Sequence, residues 1–215
     1  MVQRANRGFV YAVADGIGTA DVSRQAAWQL VDSLSFFFSA PEESFEPGST
    51  MKAVISATHT TLQRLANDDR AGASMALIYV APNHQQGYIL SAGNSPVYMR
   101  RANKFHRLNS LHRDDAGQVS NWIGMNGELQ VSYRRLRFLP GSIYLLCTDG
   151  VEQELTTIAL EQFMVKDLHP QLLAEKIVYA ADMAGGRDNA TAIVLRFGSC
   201  PEVTMSQSPM DAPDR

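Results

Sequence analysis

Three aspartates stand beside glycines in this chain. They are Asp15 in the run YAVADG, Asp149 in YLLCTDG and Asp188 in GGRDN. An apolar strand that stops at Asp-Gly puts a carboxylate at a sheet edge where the chain turns, and glycine there leaves room for a ligand. Each motif alone has a plainer reading as a turn, because aspartate caps its own backbone and glycine supplies positive φ. Two of the three, however, follow runs that read as buried strands. An ionised carboxylate beside a core is costly unless it is paired or metal-bound. Three such groups converging from distant parts of the chain would suit a hard cation such as magnesium or manganese, which prefers oxygen ligands.

The elements that must position these residues follow from the hydrophobic period. Residues 8–14 read as a buried strand. From Val22 the apolar positions Val22, Ala26, Ala27, Leu30, Val31, Leu34 and Phe38 keep helical spacing, so a helix packs one face on the sheet. Residues 39–49, with Pro41, Pro47 and Gly48, form a loop, and a second helix runs over about residues 50–67. The period then changes. Residues 74–81, 87–92, 96–100 and 104–108 are predicted as short strands of an antiparallel meander. Residues 129–138 and 142–148 continue it around a Pro140-Gly141 turn. Helices are predicted at about 155–165 and 170–184, and a last strand at 190–197. Strands in runs with helices in pairs argue an α+β fold, helices covering antiparallel sheets. Residues 199–215, rich in serine, proline and aspartate, read as a disordered tail, which leaves a domain over residues 1–198.

At 215 residues, with 45% apolar and 19% charged residues, the chain can bury a sizeable core. A net charge of -3 gives no basic footprint for nucleic acid, and no lysine or arginine run forms a membrane patch. No segment has the length of a membrane span, and the N-terminus lacks the apolar stretch of a signal peptide, so a cytoplasmic setting is expected. Cys147 lies in an apolar run and Cys200 in the polar tail, which argues against a disulfide framework.

These pieces, in this order, resemble the metal-dependent serine/threonine protein phosphatases, the PPM or type 2C family, in its bacterial form. VADGIG (13–18) resembles the family's VADGMGG turn, and AGASMALIYV (71–80) its GTT-containing strand. SAGNSPVYMRR (91–101), LLCTDGVEQEL (145–155) and AGGRDNATAIVL (184–195) resemble three further family stretches. The resemblance implies a four-layer sandwich of two antiparallel β-sheets flanked by helix pairs. It implies hydrolysis of phosphoserine or phosphothreonine on proteins by a metal-activated water, with two Mn2+ or Mg2+ ions. By position, Asp15 would bridge the two ions, the Gly16 carbonyl would ligate one, and Asp149 and Asp188 would hold the other. Asn189 would orient the Asp188 loop or serve simply as a turn residue. The implied partner is a phosphoprotein substrate, and a serine/threonine kinase could be its counterpart.

The chain also departs from the family pattern. Only Met1–Arg7 precede the first strand, and they contain no acid, so either the natural chain begins upstream or this one is expected to lack the family's N-terminal strand and its acidic motif. Arg4 or Arg7 could grip phosphate, although solvated terminal charge is the simpler reading. Asn94 stands where the family has an aspartate, and Gln153, beside Glu152, stands at a further acidic position. A neutral amide is a poor ligand for a hard cation, so a third metal site should be weak or absent, and Glu152 as a substitute is less simple than a helix-entry acid. The histidines sit in no motif and read as solvated or locally hydrogen-bonded. A second reading therefore stays open: a catalytically impaired pseudophosphatase serving as a phosphoprotein-binding or scaffold module.

Overall fold

Alternate residues of a strand face opposite sides of its sheet, and the central strands of this chain are apolar on both sides. The computed structural model, which describes residues 2–4, 6–65 and 71–198, has two sheets back to back with helices on both outer faces. One sheet has the order β1-β2-β3-β4-β7, from β1 (Val2–Arg4), β2 (Gly8–Ile17), β3 (Gly72–Val80), β4 (Gln86–Ala92) and β7 (Ser132–Arg137). The other has the order β6-β5-β8-β9, from β5 (Val97–Arg101), β6 (Lys104–Arg107), β8 (Ile143–Cys147) and β9 (Ala192–Arg196). All neighbouring strands pair antiparallel. Helices α1 (Ala20–Ser33) and α2 (Pro47–Leu65) cover the first sheet. Helices α3 (Asp149–Glu154), α4 (Thr157–Met164) and α5 (Pro170–Ala184) cover the second.

Side-chain parity sorts the apolar residues into three layers of core. On β3, Met75, Leu77 and Tyr79 pack beneath the helices with Leu30, Phe37, Met51 and Ile55. Their neighbours Ala76, Ile78 and Val80 fill the space between the sheets with Val13, Val97, Tyr144 and Leu146. On β8, Leu145 and Cys147 face the other helices, against Leu160, Leu173 and Ile177. This is the α+β four-layer architecture that the sequence led us to expect. The same parity aims Asp15: it lies two residues beyond Val13 on β2 and so shares the face that lines the gap between the sheets.

Several boundaries differ from expectation for identifiable reasons. Strand β2 does not stop at Asp15 but runs through Gly16 to Ile17, pairing Asp15 with Ser74 and Gly16 with Ala73. The first Asp-Gly is therefore strand and not turn. A Cβ on Gly16 would lie 2.0 Å from the Ser23 carbonyl oxygen of α1, so the room left by the missing side chain is filled by the protein itself. The helix expected to reach Phe38 ends at Ser33 and tightens into a 3-10 run, Leu34–Ser39, with Phe37 and Phe38 still buried. The helix expected over 155–165 is instead two: α3 already begins at Asp149, the chain extends at Leu155, and Thr156 caps α4 by accepting from Ala159 N–H at 3.2 Å. Strand β1, not anticipated, pairs Val2 with Val10 at the outer edge of β2. The tail expected at 199–215 lies outside the described residues, and no described helix is long and apolar enough to cross a membrane.

Because α1 rests directly on the Gly16 backbone, Gly16→Ala should pry the helix from the sheet. The expected cost is about 1–3 kcal/mol, the range for overpacking, read as a lower urea midpoint at an unchanged slope.

Candidate metal centre

Asp15, Asp149 and Asp188 meet at one end of the gap between the sheets. Each offers an oxygen, and the three oxygens all lie within 4.8 Å of one another. The three differ in setting: Asp149 is buried, Asp15 half-buried and Asp188 exposed. Asp15 is carried by a paired strand, Asp149 by the first turn of α3, and Asp188 by the loop between α5 and β9. Burial is the main cause that pushes the Asp15 carboxyl up to about 8, followed by its contact with Asp149 and the charges of Asp149 and Asp188. A backbone hydrogen bond from Gly16 pulls the other way.

Asp149 is held by one oxygen. Its Oδ2 accepts from Asn94 Nδ2 at 2.7 Å and from Gln153 Nε2 at 2.8 Å. Its Oδ1 is buried without a hydrogen-bond donor among the described residues. A buried carboxylate oxygen that lacks a donor, on a residue clustered with two other carboxylates, is what a divalent cation would satisfy. The donor set of three carboxylates suits a hard cation, and magnesium or manganese needs few protein ligands because it keeps several waters. The residues present thus fit the group that the sequence implied.

The Asp188 loop is moored to α3 at several points. The backbone N–H of Asn189 donates to Asp188 Oδ1 at 2.7 Å. The Asn189 carbonyl accepts from Thr148 Oγ1 at 3.3 Å, and Thr191 N–H donates to the same Oγ1 at 3.0 Å. Gly150 allows this closeness, since a Cβ there would lie 2.4 Å from the Asn189 carbonyl oxygen. Arg187 Nε donates to Glu154 Oε1 at 2.7 Å, tying the loop to the end of α3.

Other residues singled out in the sequence have different places. Arg7 is buried, and its guanidinium donates to the carbonyls of Phe38, at 3.1 Å, and Ala40. It also lies 4.7 Å from the Phe45 ring centroid, while its own carbonyl accepts from Tyr79 Oη at 2.8 Å. It is therefore neither a solvated terminal charge nor a free phosphate grip, because its donors close off the 3-10 segment after α1. Arg4 ends β1, and its side chain is outside the described part. Glu152 turns away from the cluster and accepts from Tyr98 Oη at 2.6 Å, Arg113 at 2.7 Å and Arg107 at 3.4 Å. Those bonds commit it elsewhere than to a metal. Asn94 and Gln153, lost acids by sequence, are instead donors to Asp149; the spacing of four from Asp149 to Gln153 signals the one contact, while nothing in sequence brings Asn94, 55 residues away, to the other. Cys147 is buried among the helix-side core, where burial raises its thiol pKa. His59 and His112 accept from the backbone N–H groups of Gly124 and Gly93 at 3.0 and 3.1 Å, which makes them loop anchors.

Two back-to-back antiparallel sheets between helix layers, with three carboxylates at one end, are the PPM-type fold of bacterial serine/threonine phosphatases. The family model described as Stage II sporulation protein E (SpoIIE) matches residues 7–198, and the chain belongs to that family. Similar solved structures include PppA, "a key regulatory component of T6SS in Pseudomonas aeruginosa", at a TM-score of 0.77 and 21% identity, covering 89% of this chain and 86% of that one. The Mycobacterium tuberculosis serine/threonine phosphatase PstP/Ppp is similar at 0.75 and 18%, covering 92% and 94%. The catalytic domain of PstP in complex with two manganese ions is similar at 0.74 and 18%, covering 90% and 92%. At these identities the likeness is one of fold. No curated protein matches the chain in sequence.

The raised pKa of Asp15 makes the stability of the cation-free protein depend on pH. The folded state keeps a proton that the unfolded carboxyl, near 3.8, has lost, so folding is favoured by protonation and this contribution fades as pH rises toward about 8. The thermal midpoint of the chelator-treated protein should fall across that window. A divalent cation competes with the proton, so added manganese should raise the midpoint more at the alkaline end than at the acid end.

Proposed function

We propose that this chain is a metal-dependent phosphatase that hydrolyses phosphoserine or phosphothreonine on proteins, using two Mn2+ or Mg2+ ions. The observation that carries the reading is the convergence of Asp15, Asp149 and Asp188 within 4.8 Å, with Asp149 Oδ1 buried and lacking a donor. In this reading Asp15 would serve both ions, the Gly16 carbonyl would contribute to one, and Asp149 and Asp188 would hold the other. When bound, such a pair lowers the pKa of water and neutralises phosphoryl oxygens, the two obstacles to hydrolysing a phosphomonoester dianion.

The chain's own residues then have distinct tasks. Strand β2 fixes Asp15 by pairing it with Ser74 of β3, so the position is set by the backbone. Asn94 and Gln153 bond one oxygen of Asp149 and leave the other for coordination. Backbone N–H of Asn189 does the same for Asp188, and the exposure of Asp188 opens the site to a protein substrate. Two amides at positions where the family has acids favour two ions over three, since an amide already donating to a carboxylate is not an available ligand. The coordinating shell requires no thiol or hydroxyl nucleophile, consistent with the burial of Cys147.

The test is manganese-dependent hydrolysis of p-nitrophenyl phosphate and of a phosphothreonine peptide. Turnover that needs the metal, and that disappears in a folded Asp149→Asn variant, is the expected result. Peptide bound without any turnover in manganese would overturn the catalytic reading in favour of a phosphoprotein-binding module.

The two amides supply a separate prediction. Asn94→Ala or Gln153→Ala removes one of the two donors that orient Asp149. Divalent-cation affinity measured by calorimetry should weaken by about 10–100-fold in either variant, the usual penalty for losing a bond that orients a ligand.

A further inference from the structure

A groove of about 870 Å3 opens beside Asp188 and runs along the side of α5. Gln171, Glu175, Tyr179 and Asp182 of the helix line one side, and Ala190 and Ala192 line the other. From Asp182 back to Gln171 the helix rises roughly 16 Å, which is room for about five residues of extended chain. Among the described residues, strand β9, which contains Ala192, is the outer strand of its sheet and pairs with β8. The small side chains of Ala190 and Ala192 keep the groove floor low where it passes the start of β9.

We propose that this groove seats the segment of the phosphoprotein substrate next to the phosphorylated residue, in extended form, and that it selects basic residues there. The proposal rests on the phosphatase reading and adds where the polypeptide runs and what it must carry. Continuity is the first support: the groove begins at Asp188, one of the three clustered carboxylates, so a chain presenting its phosphate to the cluster enters the groove directly. Charge is the second. Glu175 and Asp182 present exposed carboxylates along the helix side. Arg187 also lines the groove, but its guanidinium is held by Glu154 at 2.7 Å and so offers little to an acidic peptide. Tyr179, 65% exposed, adds an aromatic face on which an arginine or lysine side chain can lie. An extended chain beside an outer strand also gains main-chain hydrogen bonds that do not depend on its sequence, which leaves selection to these side chains.

The experiment uses the full chain with manganese and three substrates: p-nitrophenyl phosphate and two phosphothreonine peptides, flanked by either arginines or glutamates. The wild type should prefer the arginine-flanked peptide. In a Glu175→Lys/Asp182→Lys variant, and separately in Tyr179→Ala, kcat/KM for that peptide should fall, by roughly tenfold for the double charge reversal, mainly through KM. Hydrolysis of p-nitrophenyl phosphate should be unchanged in both. Equal rates on the two peptides, or variants that act on the arginine-flanked peptide like the wild type, would overturn the groove while leaving the phosphatase reading standing. A parallel loss on p-nitrophenyl phosphate in both variants would also overturn it, since the groove would then act on the cluster and not on the flank. A wild type inactive on p-nitrophenyl phosphate would sink the phosphatase reading, and the groove with it.

Discussion

Carboxylates held within 4.8 Å of one another repel. At an effective dielectric of about 20, each ionised pair at that separation costs roughly 3 kcal/mol. Three pairs together approach the whole net stability of an ordinary domain, about 5–15 kcal/mol. The cluster therefore exists only because separate, well-packed elements hold its members in place and because a positive charge can enter. Without a cation the protein answers with a proton: burial first, and then the neighbouring carboxylates, raise the pKa of Asp15. Each carboxylate is anchored in a different way: by a strand paired with β3, by two side-chain amides, and by a loop bonded to the helix that carries its neighbour.

Asn94 and Gln153 show how a substitution read as a loss can be a reassignment. As ligands for a hard cation they are weak, but as donors they converge on Asp149 Oδ2 at 2.7 and 2.8 Å. Acids in their places would add negative charge to a site that already carries too much of it. The amides instead spread the charge of Asp149 and fix its orientation, a fair exchange where two ions suffice.

The layered fold was legible because strand parity and helical spacing are local properties, carried in runs such as Met75–Val80 and Leu145–Cys147. The three aspartates were legible for a similar reason: each lies at a recognisable junction of apolar chain and glycine. What escaped the sequence depends on contacts between distant segments. Nothing near Arg7 indicates that its guanidinium will turn inward to carbonyls 31 and 33 residues away. Gly16 looked like a turn because the helix that presses on it is defined only in three dimensions. Helix α3 escaped because six residues are too few to display a helical period.

That short helix has a wider consequence. A six-residue helix is well below the length at which a helix holds itself together in water, so α3 takes its shape from what it touches. Glu152 is gripped by Tyr98, Arg107 and Arg113, respectively 54, 45 and 39 residues earlier in the chain, and Glu154 by Arg187, 33 residues later. Asp149 and Gln153 sit on the same six residues and face the cluster. Tension applied to either distant segment is thus delivered to a metal-facing carboxylate through a single rigid turn, much as a lever shorter than its own handles. The strength of the centre is in that sense set at the periphery, by arginines whose own partners are Glu152 and Glu154 and not the clustered carboxylates.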